Sequence, residues 1–127
     1  MTAFTFSARS ERNLRGVHPD LVRVVRRALQ LSPVDFTVIE GRRTKKRQAE
    51  LVAAGASWTM NSRHLTGHAV DIAPFIGGAV RWDWPPFRVL AQAMKQAAAE
   101  LGVLIVWGGD WKVRDGPHFE LSRKAYP

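Results

Sequence analysis

The sequence predicts an α+β domain in which helices pack on a small, largely antiparallel sheet. Three observations carry that expectation. The chain has 127 residues, a length that suits one domain over 1–127 and one core built without disulfides. Two stretches repeat apolar residues at three- and four-residue steps, as helices with one buried face do. Between and after them, short apolar and β-branched runs are bounded by Gly and Pro, an order that suits strands gathered into one sheet with helices against it.

Element by element, Ser10 to Leu14 reads as a short capped helical turn. Pro19 stands where the first turn of a helix tolerates proline, with His18 as a surface residue at its start. Leu21, Val24, Val25, Ala28 and Leu29 then define an amphipathic helix to about Leu31, with Arg23, Arg26 and Arg27 on a solvated flank. Ser32-Pro33 ends it. Phe36 to Ile39 is a β-branched strand broken by Gly41. Thr44 caps a helix from Lys45 to Ala54, which Gly55 stops. Residues 56 to 68 form a long loop. Val70 to Phe75 is a strand that turns at Gly77-Gly78 into a partner, Ala79 to Trp82. Pro85-Pro86 open a helix whose Phe87, Leu90, Met94, Ala97 and Leu101 share a face, and Gly102 closes it. Val103 to Trp107 is a buried strand, and His118 to Leu121 the last one.

Composition narrows the chemistry. There is no cysteine, so disulfides and thiolate metal sites are excluded and any metal binds through His and carboxylates. The formal net charge of +8 predicts attraction to polyanions. Two rivals fit: nucleic acid and an anionic bacterial envelope. No nucleic-acid motif accompanies the Arg42 to Arg47 cluster, so the envelope is the expected partner and nucleic acid is not. The first 20 residues hold Arg9, Arg12 and Arg15 but no apolar run of secretory length. The longest apolar run, Val103 to Trp107, is too short to span a bilayer. A monomer made in the cytosol and not inserted in a membrane is expected, with another agent releasing it if it works elsewhere.

The chemistry concentrates in Ser62-Arg63-His64-Leu65-Thr66-Gly67-His68-Ala69-Val70-Asp71 and Asp115-Gly116-Pro117-His118. His64, Asp71 and His118 offer two imidazoles and a carboxylate to one metal. Three protein ligands leave a coordination position open, which marks a catalytic rather than a structural zinc site. Gly67 permits the reversal that lets His64 and Asp71 turn to one point. Gly116-Pro117 forces a tight turn that can return Asp115 to the metal as a general base. His68 competes with His64 as a ligand, but Gly67 and the β-branched residues after it argue against a shared helical face. His68 is therefore placed in the cleft, beside the metal rather than on it. Trp107 and Trp111 flank a Gly-Gly turn and are assigned either to the walls of a peptide cleft or to the core. Ser62 either bonds substrate or caps its turn. Asp110 is read as a support for a loop or a ligand histidine, and Glu120 as sharing His118's face.

Ser62-x-His64-x-x-Gly67-x-Ala69-x-Asp71 resembles the signature of the zinc D-Ala-D-Ala carboxypeptidase family, whose members cleave peptidoglycan stem peptides. Gly41-Arg42-Arg43-Thr44, Trp107-Gly108-Gly109-Asp110-Trp111 and Asp115-Gly116-Pro117-His118-Phe119-Glu120 are most similar to its phage endolysin branch, the L-alanyl-D-glutamate endopeptidases. The resemblance implies one Zn2+ held by His64, Asp71 and His118, with Asp115 as catalytic base. It also implies Arg43 in the active site, binding a substrate carboxylate or the oxyanion; the spacing to Thr44 selects Arg43 over Arg42. Ser62, His68, Trp107 and Trp111 complete the expected substrate-binding set. The implied activity is zinc-dependent hydrolysis of the L-Ala–D-Glu bond, lysing bacteria after a holin releases the protein from the host cytoplasm to the peptidoglycan. A D-Ala-D-Ala carboxypeptidase or dipeptidase, and a non-catalytic basic binding domain, are the alternatives.

Overall fold

A computed structural model of the chain describes residues 4–57 and 59–127. Its elements run α1 (Ala8–Asn13), α2 (Pro19–Leu31), β1 (Phe36–Glu40), α3 (Lys45–Ala53), β2 (Ala69–Ile76), β3 (Ala79–Val80), α4 (Trp84–Leu101), β4 (Ile105–Trp107) and β5 (His118–Leu121), with 3-10 turns at Arg63–Thr66 and Gly108–Asp110. The sheet order is β1-β2-β5-β4, with β3 beside the far end of β2. Every pairing is antiparallel. The expected α+β class is what is found.

Helix α2 forms where the apolar periodicity placed it. His18 caps it through Nδ1, which accepts from the Asp20 amide, and Pro19 occupies the first turn. Leu21, Val24, Val25 and Ala28 are fully buried. Arg23, Arg26 and Arg27 lie outside, in surface pairs with Asp20, Glu11 and Glu100. Helix α4 turns Leu90, Met94 and Ala97 to the same core. Strand alternation supplies the other half: Val70 and Ile72 of β2 and Phe119 and Leu121 of β5 are fully buried. Each such side chain contributes about 1.5–3 kcal/mol of burial.

Several boundaries differ from the sequence reading. Helix α1 begins at Ala8 because Ser7, not Ser10, caps it. Ser10 is buried, and its hydroxyl accepts from the Val38 amide at 3.0 Å, tying α1 to β1. Strand β3 ends at Val80, and Trp82 is exposed. Strand β4 is shortened at its start, and Leu104 faces solvent. The long loop contains the 3-10 turn Arg63–Thr66; its residue 58 lies outside the described residues. Among the described residues no helix is long and apolar enough to cross a membrane.

Candidate active site

Strand alternation sends Asp71 of β2 and His118 of β5 away from the helix-covered core. The two are direct register partners, and paired strands stand about 4.7–4.9 Å apart. His64 arrives from the 3-10 turn, whose cap is Ser62: its Oγ accepts from the His64 amide at 3.2 Å. Gly67 closes that turn at φ 74°, a left-handed conformation that glycine adopts without a Cβ penalty. The chain thereby reverses from His64 into β2. His64 Nε2 and His118 Nδ1 each lie 3.3 Å from Asp71 Oδ1. The three donor atoms fall within 4.8 Å of one another, an arrangement able to hold a metal ion.

The donor chemistry fits that use. A tetrahedral ion with bonds of about 2.0–2.1 Å has edges of about 3.3–3.4 Å, which matches the spacing of Asp71 Oδ1 from each ring nitrogen. The opposite ring nitrogens are committed elsewhere. His64 Nδ1 donates to the Gly41 carbonyl at 2.8 Å, and His118 Nε2 donates to Glu120 Oε1 at 2.8 Å. In the neutral rings these bonds leave the lone pairs of His64 Nε2 and His118 Nδ1 facing Asp71, as supporting bonds do for metal-binding histidines. Glu120 is itself buried, with Arg63 at 3.9 Å and Arg123 at 3.8 Å.

The charges follow. Burial pushes the Asp71 carboxyl up, but hydrogen bonds from His118 and His64 and their charges outweigh it and hold the group below the usual carboxylate range. Burial pulls His118 down, yet its bonds to Asp71 and Glu120, with the charges of Asp71 and Asp115, bring it up to about 9. The metal-free imidazole is thus a cation between two carboxylates. Asp115 moves the other way from Asp71. Burial, reinforced by the Asp71 charge, raises its pKa despite His118, His64 and Arg43.

Asp115 lines the same cleft of about 400 Å³ as the three donors. Its carbonyl accepts from the His118 amide at 3.3 Å, and its amide donates to the Gly108 carbonyl at 2.9 Å. That approach needs glycine at 108, since a Cβ there would stand 2.5 Å from the Asp115 carbonyl oxygen. Arg43 also lines the cleft. Its Nε and Nη2 bond both carboxylate oxygens of Glu40, at 2.6 and 3.0 Å, and Nη1 bonds Gln48 Oε1 at 2.7 Å. A guanidinium has five N–H donors, so two remain. Arg42 is exposed and belongs to a different hollow.

Ser62 and Trp111 line the cleft as expected, the Trp111 ring 5.1 Å from that of His118. Two expected cleft residues are elsewhere. His68 leaves Gly67 on another heading: its Nδ1 pairs with Thr66 Oγ1 at 2.7 Å, and its ring lies 5.4 Å from His18. Trp107 is core. Its ring stacks with those of Trp84 and Phe119, and its indole N–H donates to the Gly116 carbonyl at 2.7 Å. Its indole edge ties down the turn after Asp115, and the ring is not among the residues that line the cleft. Asp110 pairs with Lys95 at 2.9 Å and holds α4 rather than a histidine. Glu40, Gln48 and Arg63 escaped the sequence reading. The three-residue step from Glu40 to Arg43 was the available signal for the first.

The profile of the phage L-alanyl-D-glutamate peptidase family matches residues 2–126. The L-alanyl-D-glutamate peptidase of Escherichia phage T5 is 41% identical over 128 residues, covering 98% of this chain and 93% of the relative. That of Listeria phage A118 is 34% identical over 130 residues. The match takes in 99% of this chain but 45% of that longer protein. The crystal structure of Serratia marcescens L-Ala D-Glu endopeptidase ChiX superposes with a TM-score of 0.93 at 54% identity, covering 98% of this chain and 95% of that one. Together with the geometry of His64, Asp71 and His118, these matches place the chain in the phage L-alanyl-D-glutamate peptidase family.

Proposed function

We propose that residues 1–127 act as one catalytic domain, a zinc endopeptidase that cuts the L-Ala–D-Glu bond of peptidoglycan stem peptides. The observation that carries this reading is the His64–Asp71–His118 cluster, with both outer ring nitrogens already held by Gly41 and Glu120. These three residues would hold one zinc ion. When bound, the ion supplies Lewis acidity, polarising a carbonyl and lowering the pKa of water to about 7.

The remaining steps belong to the chain's own groups. Asp115, its carboxyl raised by burial, takes a proton from the attacking water and passes it to the leaving amine. Arg43 aims its two free N–H groups at a substrate carboxylate or at the developing oxyanion, while Glu40 and Gln48 fix its plane. Trp111 gives the peptide an aromatic wall, and the Ser62 hydroxyl keeps its own proton to donate. As a monomeric endolysin that a holin releases from the host cytoplasm, the protein would be held to the anionic envelope by its charge of +8.

The test is clearing of purified peptidoglycan with and without a chelator, followed by zinc add-back. Mass spectrometry of the fragments should show new D-Glu amino termini. Activity indifferent to chelation removes the metal from the reading, and released D-Ala turns the enzyme into a carboxypeptidase.

A further inference from the structure

A second hollow, of about 860 Å³, adjoins the cleft. The two share Arg43 and Asn61 as a common wall. Arg15, Arg42 and Lys45 also line this hollow, with Met60 and Leu65 adding apolar surface. All three cations are exposed. Among the described residues none of them stands within ion-pair distance of a carboxylate, whereas Arg23, Arg26, Arg27, Arg47, Arg81 and Lys95 each do. The aliphatic stem of Arg42 packs on Gly16, where even a methyl group would meet its Cδ at 2.9 Å. Three cations without acidic partners, gathered beside a hydrolytic cleft, are a field for an anion.

The proposed substrate provides one. Glutamate has two carboxyl groups, and only one can carry a peptide chain onward. The fragment on the leaving side of an L-Ala–D-Glu bond therefore keeps a side carboxylate in addition to its terminal one. We infer that the Arg15–Arg42–Lys45 hollow is an exosite for the leaving side of the stem peptide, holding its carboxylates after the chain crosses the Arg43–Asn61 wall. This inference rests on the L-Ala–D-Glu reading of the cleft. Its contacts are exposed and screened by salt, so they set affinity rather than turnover.

The test uses the full chain and a synthetic acidic tetrapeptide that begins with D-glutamate, the leaving fragment itself. The variant replaces all three cations: Arg15→Gln, Arg42→Gln and Lys45→Gln. Calorimetry at low salt should show about tenfold weaker binding by the variant, as three exposed pairs of about twofold each imply. On the corresponding uncut peptide KM should rise by a similar factor with kcat unchanged. A tetrapeptide with every carboxylate amidated should bind both proteins alike. An unchanged Kd for the acidic peptide overturns the inference, as does the absence of binding by the wild type. Equal weakening toward the amidated peptide also overturns it, by assigning the loss to structure. Unchanged peptide binding with reduced adsorption to intact walls assigns the cations to an envelope polymer instead. Binding of the fragment needs no turnover, so a wild type that binds it through these cations yet cuts another bond sinks the functional reading alone.

Discussion

Gly108→Ala is the sharpest perturbation of this site, because Gly108 contributes no side chain to the cleft yet stands against the Asp115 backbone and beside His118. A Cβ at 108 would stand 2.5 Å from the Asp115 carbonyl oxygen, 3.0 Å from Asp115 Cβ and 3.1 Å from His118 Cβ. Restoring an ordinary contact of 3.4 Å moves the Asp115 backbone by about 0.9 Å. A displacement near 1 Å of a positioned group costs about 10²-fold in rate. The same overpacking costs about 1–3 kcal/mol of stability, so folding needs its own control. Gly78→Ala provides it: Gly78 has φ 82° with open space around it, and a left-handed alanine there costs about 1–2 kcal/mol without touching the cleft. Peptidoglycan clearing by both variants, measured below their melting temperatures, separates the two effects. The Gly78 variant should clear at the wild-type rate and the Gly108 variant about a hundredfold more slowly. A folded Gly108→Ala protein within about threefold of wild type would refute the claim that this glycine seats the base.

Asp115→Asn should keep zinc affinity, read by competition with a chromogenic chelator, while clearing falls by about 10²- to 10⁴-fold; unchanged clearing removes Asp115 as the base. Trp107→Ala should lower unfolding free energy in urea by about 3–5 kcal/mol. Trp111→Ala, at a ring that is 39% exposed, should leave stability nearly unchanged and raise KM for the stem peptide; the reverse pattern would exchange their roles. In metal-free protein His118 has its folded pKa raised from 6.5 to about 9. Its contribution is therefore complete below pH 6.5 and lost as pH rises through about 9. The loss should reach up to about 3 kcal/mol. Asp71 and Glu120, held below their usual values, lose theirs as pH falls instead. Urea titrations of chelated protein across this range that stay flat between pH 6.5 and 9 would deny the protonated His118.

What was legible in the sequence follows from which interactions are local. The apolar steps from Leu21 to Leu29 and from Phe87 to Leu101 describe single helix faces, so α2 and α4 could be read directly. The grouping of His64, Asp71 and His118 was legible because glycine and proline mark the reversals that bring them together. The cap of α1 was misplaced by three residues because Ser7 and Ser10 have the same local chemistry. Only the distant Val38 amide decides that Ser10 is an anchor. Trp107 was equally undecidable, since the rings it stacks with belong to Trp84 and Phe119, remote from it or on another strand. His68 was misplaced because the left-handed Gly67 redirects the chain, and spacing alone carries no heading. The support for Arg43 was hidden for another reason, as Gln48 reaches it only once Thr44 has turned the chain into α3.

The same strands serve core and site, and this makes register a condition of catalysis. Along β2, Val70 and Ile72 are fully buried among the core residues while Asp71, between them, faces the cleft. Along β5, Phe119 and Leu121 enter that core while His118 and Glu120 face the cleft. The pairing sets Asp71 against His118 and Ala69 against Glu120, and the small Ala69 side chain leaves Glu120 room beneath His118. A slip of one residue in either strand would exchange the two faces. It would put Asp71 or His118 under the helices with no partner, and bring Phe119 or Ile72 into the cleft. The hydrophobic burial that stabilises the fold therefore also enforces the alignment of Asp71 with His118. Variants that weaken the Val70–Phe119 layer should lose metal affinity along with stability, whereas losses on the outer faces of α2 and α4 should leave metal affinity intact.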